Sequence, residues 1–386
     1  MPYSSLEAKD ISQLCTVVDC EHKTAPYVEK SDYLVVRTSN VRNGQLLMAD
    51  MKYTTVDGYN EWTQRAIPEY GDVLFTREAP AGESCLVPKD KKVCMGQRMV
   101  MLRPKKDVTD PVFLSLILNT ERTKADISRL SIGSTVSRIN IADIKKLKVS
   151  SPPLPEQRKI AKILSTWGKA ISTTEKLIET SKQQKKALMQ QLLTGKKRLV
   201  NPETGKAFDG EWEEALLGDI SYITTGSSNR EDSSLDSEYT FFDRSEDIRR
   251  SNRYLFDAEA VIVAGEGQDF VPKHFEGKFD LHQRTYAIMN FEKSVGKFLY
   301  YYIGYYRHYF LAQAVGSTVK SLRLPMFQKM PIHLPKVGEQ QKIVSTLNAA
   351  DKQIEVLEAK LTHFKQEKKA LMQQLLTGKR RVTVNI

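Results

Sequence analysis

Residues 185–196 read KKALMQQLLTGK, and residues 368–379 repeat those twelve letters without change. A chain that contains one of its own phrases twice must fold into two related halves or bring the copies together. The same offset of 183 residues joins Glu156-Gln157 to Glu339-Gln340, and Gly133-Ser134-Thr135-Val136 to Gly316-Ser317-Thr318-Val319. The period is about half of the 386 residues, far beyond the roughly 20 to 50 residues of solenoid repeats. Upstream the halves differ. Asp10-Ile11-Ser12 matches Asp219-Ile220-Ser221 at an offset of 209, whereas Gln97-Arg98 matches Gln283-Arg284 at 186, so the first half carries 23 more residues between these anchors. The frame is duplicated; the material inside it is not.

Around the repeated phrase, apolar residues recur at alternating spacings of four and three. The first seam is Ile160, Leu164, Trp167, Ile171, Thr174, Ile178, Ser181, Lys185, Leu188 and Leu192. The second is Ile343, Leu347, Ala350, Ile354, Leu357, Leu361, Phe364, Lys368, Leu371 and Leu375. Such heptads predict two long helices with a coiled-coil face. Pro152, Pro153 and Pro155 punctuate the first helix's start, and Gly195 and Gly378 follow the last Leu-Leu-Thr of each as C-terminal caps. At 1.5 Å per residue each spans about 55 to 60 Å. Two matching seams in one chain favour intramolecular pairing, because they meet without losing translational entropy. Connectivity leaves parallel and antiparallel pairing open.

The rest reads as two globular domains of mixed α and β structure. In the first, segments 33–39, 71–77 and 97–103 read as strands, followed by an apolar helix from about Pro111. In the second, 259–265 and 283–289 repeat that order, and LYYYIGYYRHYF (299–310) takes the helix's place. Tyrosines can stack on bases, but the position of this run predicts rings packed in a core. The expected division is 1–150, a first globular domain; 151–196, a first long helix; 197–335, a second globular domain; 336–380, a second long helix; and 381–386, a tail.

Net charge is +11, and its location says more than its size. Segments 156–200 and 339–386 together carry an excess of twelve positive charges, and the rest of the chain an excess of one negative charge. A domain that touches nucleic acid would therefore do so through local patches, or with a partner's help. MPYSSLEAKD lacks the apolar region of a signal peptide, and no run approaches the roughly 18 apolar residues of a membrane helix. We expect a cytoplasmic protein with no membrane partner. Cys15, Cys20, Cys85 and Cys94 lack the paired spacing of a zinc ribbon and read as buried thiols. No GxxxxGK[ST], GxGxxG, HExxH or GxSxG motif occurs. Ser151-Pro152-Pro153-Leu154 brushes against the loop with which amino-methyltransferases hold a flipped base, but Leu154 replaces the stacking aromatic. Glu21-His22-Lys23 resembles a nuclease triplet without its Pro-Asp strand. Neither carries catalysis or metal binding.

A domain, a GSTV segment, a proline-rich junction, EQ, a long helix ending in KKALMQQLLTGK, and then the whole order again through GEWEEALLGDI: over essentially its full length the chain resembles the specificity subunit of type I restriction-modification systems. The resemblance implies an α+β fold in which two target-recognition domains are separated by two long helices pairing as an intramolecular coiled coil. It implies a non-catalytic subunit without a cofactor of its own, whose partners are double-stranded DNA, two adenine methyltransferase subunits that use S-adenosylmethionine, and motor-nuclease subunits that use ATP and Mg. Bipartite reading fits the frame, since half-sites on one face of B-DNA lie about 34 to 36 Å apart. A labelled duplex methylated by the chain alone would favour an enzyme instead, and a chain without sequence-selective retention on DNA would be a coiled-coil adaptor.

Cations and amides suited to base edges and phosphates nominate Asn40, Arg42, Asn43, Lys52, Arg65 and Arg77 in the first domain. Arg244, Arg249, Arg250, Arg253, Lys273 and His274 are their counterparts in the second. Arg98 and Arg284 hold matched positions and fit a shared role, phosphate contact or scaffold packing. Lys196, Lys197 and Arg198, with Lys379, Arg380 and Arg381, follow the two glycine caps and are expected to supply further phosphate contacts.

Overall fold

A computed structural model describes residues 7–20, 25–133, 137–234, 236–245 and 247–384. The triplet Glu21-His22-Lys23 and residues Ser134 to Val136 lie outside the described residues. Two compact units emerge, one from residues 1–175 and 360–386, the other from 176–359. Each of the two long helices, Leu154–Leu192 and Val337–Leu375, contributes one end to each unit.

In the first unit, strand Cys15–Asp19 pairs antiparallel with Met99–Pro104, which pairs with Val73–Thr76, which pairs with Ser84–Leu86. A second sheet sets Tyr33–Val36 between Lys52–Thr54 and Lys92–Met95. Helix Pro111–Leu118 starts where the sequence predicts; the Asp110 side chain caps it by accepting from the Phe113 amide at 2.9 Å. Its Phe113, Leu114 and Leu118 join Phe75, Val100 and Leu102 in a core that also takes in Ile160, Leu164, Leu375 and Leu376 of the long helices. The helix ends are thus part of this unit's core. Cys15, Cys20, Cys85 and Cys94 are all free and buried, and burial pushes the Cys15, Cys85 and Cys94 thiols up to about 12.

The second unit holds a six-stranded sheet with central strands Phe256–Ala264 and Lys273–Leu281. The tyrosine-rich run forms helices Gly296–Tyr305 and His308–Gln313, and Tyr301, Tyr302 and Phe310 are at most 1% exposed. These rings pack with Phe298, Leu192, Leu193, Ile343 and Leu347, so the run serves the core, as its place in the repeat predicts.

Within each unit the long helices run antiparallel. In the first, Glu156 meets Arg381, the Trp167 ring meets Phe364 edge-on at 5.5 Å, and Glu175 meets Lys365 at 2.9 Å. In the second, Lys182 meets Glu358 at 2.7 Å, Lys185 meets Asp351, and Arg198 meets Glu339. Every position of both predicted seams is buried or half-buried. Fully sheltering a Leu or Ile there contributes about 1.5 to 3 kcal/mol, which is why the pattern holds through its polar interruptions. Gly195 and Gly378 sit at φ +68° and +75°, a backbone region open to glycine at the helix ends. Past them, the Lys197 and Arg380 amides donate to the Gln191 and Gln374 carbonyls, both at 3.0 Å.

Candidate nucleic-acid interface

Both units build the same joint between globular domain and helix. Gln157, 1% exposed, donates to the carbonyls of Pro152 (2.8 Å) and Val108 (3.1 Å) and accepts from the Asp110 amide (3.0 Å). Gln340, fully buried, donates to Pro335 (2.8 Å) and Lys293 (3.0 Å) and accepts from the Val295 amide (2.9 Å). Beside each glutamine, a nearly buried glutamate takes a two-pronged arginine. Arg381 donates to Glu156 at 2.8 and 2.6 Å, and Arg198 to Glu339 at 2.6 and 2.7 Å. These charge-assisted hydrogen bonds raise the pKa of both arginines further. Of the six cations past the caps, two are therefore joint residues, while Lys196, Lys197, Lys379 and Arg380 stay exposed.

Two of the expected base-contacting residues of the first unit lie inside it. Asn40 is fully buried, donating to Leu47 (3.3 Å) and Ala49 (3.2 Å) and accepting from the Arg37 amide (3.1 Å). Such an amide shapes loop 37–49 from within and has no edge left for a base. Arg77, 3% exposed, donates from Nε to the Ile139 carbonyl at 3.3 Å. Arg42 is turned onto the carbonyls of Thr38 and Val41. Asn43 lies exposed on a tight turn at φ +49°, Lys52 reaches Asp50 at 3.4 Å, and Arg65, half-exposed, pairs with Asp19.

In the second unit, loop ends converge on Asp280, fully buried beneath Ser228 and Ser251, which donate to its two oxygens. Arg253, 54% exposed, donates to Ser228 at 2.8 Å and stands 3.8 Å from Asp280. Arg249 donates to Ser233 and Arg250 to the Glu238 carbonyl. Lys273 reaches the Ser245 carbonyl, and His274 faces Glu259 at 2.8 Å with only 16% of its side chain exposed. Of the residues expected at the interface in this unit, Arg244, Arg250, Arg253 and Arg284 are exposed.

Arg98 and Arg284 face matched glutamates. Arg98 lies 3.0 Å from Glu78, and Arg284 pairs with Glu266. Sequence reasoning missed both glutamates and Arg138, which also approaches Glu78, at 3.6 Å. Its signal was position: Arg138 stands two residues after the repeated Gly-Ser-Thr-Val.

Residues 4–182 and 199–366 both match the profile of the type I restriction modification DNA specificity domain. The specificity subunit of the type I restriction enzyme MjaX of Methanocaldococcus jannaschii is 25% identical across 97% of this chain and 94% of that relative. That of EcoDI of Escherichia coli is 30% identical over 43% of this chain and 37% of its own. Among solved structures, the S subunit of a type I restriction-modification system from M. genitalium superposes with a TM-score of 0.65 at 15% identity, covering 97% of both chains. Among the described residues, no helix is long and apolar enough to cross a membrane.

Proposed function

The chain belongs to the family of type I restriction-modification DNA specificity subunits and carries two recognition domains, and from that membership we propose that each domain reads one half of a bipartite, asymmetric duplex site in the cytoplasm. The paired helices set the distance between the half-sites and dock two adenine methyltransferase subunits, to which motor-nuclease subunits attach. Chemistry resides in those partners: S-adenosylmethionine is used by the methyltransferase, ATP and Mg by the motor-nuclease, and this chain contributes no catalytic residue.

One observation carries the reading. The joints at Gln157 and Gln340 are built from matched atoms, while the loops around Asn40 and Asp280 are built from unrelated residues. A duplicated frame holding two unlike surfaces suits two unlike half-sites, with specificity in the loops. The test is an exchange of residues 1–150 for the equivalent domain of a relative, followed by mapping of N6-methyladenine in a host genome with and without this gene. One half of the methylated motif should change while the other half and the spacing persist. Simultaneous change of both halves would end the modular reading.

A further inference from the structure

We propose that two Arg-Glu-Arg trios, Arg98 and Arg138 about Glu78 and Arg284 and Arg244 about Glu266, are phosphate-binding sites with which each recognition domain grips the duplex backbone regardless of sequence. The inference rests on the DNA-reading role proposed above and adds residues to it.

Glu78 and Glu266 occupy the same place. The Arg77 amide donates to the Arg98 carbonyl and the Gly265 amide to the Arg284 carbonyl, both at 2.8 Å; Ile139 then donates to Arg77 as Leu322 does to Gly265. Each glutamate follows directly after residue 77 or 265 and is mostly buried, 12% and 18% exposed. Each engages the matched arginine, Arg98 or Arg284.

The second arginine differs in origin. In the first unit it is Arg138, two residues after Gly-Ser-Thr-Val in the sequence and 3.6 Å from Glu78. The matched position in the second unit is the uncharged Ser321. There Arg244, from the loop after strand Tyr239–Phe242, comes to 3.7 Å from Glu266 instead. One chain thus reaches the same trio by two routes. Holding a loop to a glutamate needs one cation; a second leaves each trio with a net positive charge.

The four arginine side chains are 50 to 62% exposed. A guanidinium carries five donors in a planar fork, so a carboxylate engaged at one edge leaves donors for a second anion. In the second unit this anion has room: Arg244, Arg284, Arg230 and Gln283 line a cleft of about 300 Å³, whose other carboxylate, Asp243, is faced by Arg230 at 3.4 Å. Two forked cations at one edge fit a phosphodiester oxygen pair. Contacts to phosphate position a protein on the duplex without choosing bases, which suits a device present in both domains.

The experiment uses the full chain assembled with its methyltransferase, titrated with target and non-target duplexes over a range of salt. Arg98→Gln with Arg284→Gln should weaken both duplexes by a similar factor and flatten log K against log salt by about 1.8, at about 0.9 per lost contact. Arg98→Lys with Arg284→Lys should restore most of the slope, and the methylated motif should not change. Should the Gln pair fail to fold, Arg138→Gln with Arg244→Gln carries the same expectation from the less tightly held cations. A wild-type slope in folded variants, or a loss confined to the target duplex, overturns the proposal. Wild-type complex that retains no duplex at all would instead remove the DNA-reading role itself.

Discussion

A lysine interrupts both helix seams at the same point of the repeat, and the two units accommodate it differently. In the second unit Lys185 pairs with Asp351, whose other oxygen accepts a hydrogen bond from Tyr301 at 2.6 Å, and the ammonium lies over the Tyr301 ring, 5.3 Å from its centroid. In the first unit the matched positions are Lys368 and Gly168, at the offset of 183, and Leu116, which follows Asp110 by six residues as Tyr301 follows Val295. No carboxylate stands where Asp351 does, and burial lowers the Lys368 pKa below the usual lysine value. Repetition has kept the residue but not its reason for being comfortable. The two units share the joint, the helix seams and the glutamate facing Arg98 or Arg284, while the surroundings of this lysine and the loops around Asn40 and Asp280 have drifted.

The joints offer the most severe test of that view. Arg381→Ala and Arg198→Ala each strand a glutamate that is at most 6% exposed, and removing one partner of a nearly buried ion pair costs about 3 to 5 kcal/mol. Hydrogen exchange should quicken around residues 151–160 in the first variant and 334–343 in the second, to similar degrees. A large loss in one unit and none in the other would mean that matched atoms do unequal work, and the shared frame would be a likeness of shape alone.

Smaller effects are expected where the units differ. Asn40 organises loop 37–49 in the first unit, and Asp280 gathers Ser228, Ser251 and Arg253 in the second. Asn40→Ala and Asp280→Ala leave buried groups without partners, at about 1 to 3 kcal/mol each. Each should relax selectivity for one half-site, read as affinity for duplexes altered in that half. Loss of selectivity at both half-sites from either variant would break the assignment of one loop to one half.

How much of this could be read from the letters alone follows from the range of each interaction. The seams were legible because a heptad is local: residues three and four apart decide which face is buried, and all twenty seam positions came out sheltered. The tyrosine-rich helix was legible by its place in the repeat. Individual roles of cations were not. Asn40 and Arg77 look like candidates for base contact until their neighbours in space are known, and Arg381 differs from Arg380 only in meeting Glu156, more than 200 residues away along the chain. One clue was available: Glu156 and Glu339, like Arg198 and Arg381, recur at the frame's own offset, and charges that repeat with a frame are candidates for holding it.

The smallest effect concerns Lys368, whose pKa burial lowers. A Cβ built at Gly168 would lie 3.6 Å from Lys368 Nζ, ordinary contact with open space beyond, so Gly168→Asp can place in the first unit the carboxylate that the second already has. Replacing a mid-helix glycine contributes about 0.5 to 1 kcal/mol by itself, and a partly exposed ion pair about 0.2 to 1. Gly168→Ala isolates the first contribution. The sign with pH follows from the lowered pKa. Below the folded value both states hold the proton and the burial penalty is complete; between that value and the usual 10.5 of an unburied lysine, the unfolded chain binds more protons, so stability rises with pH. Asp is a poorer helix former than Ala by up to about 0.7 kcal/mol at any pH in this window, so the ion pair is read in the pH dependence: the stability of Gly168→Asp relative to Gly168→Ala should fall as pH climbs toward 10.5. Chemical denaturation of the three proteins at pH steps across that window checks it. A difference between the Asp and Ala variants that stays constant at every pH would show that Lys368 already finds adequate solvation at the helix surface, and that Asp351 in the second unit serves Tyr301 rather than Lys185.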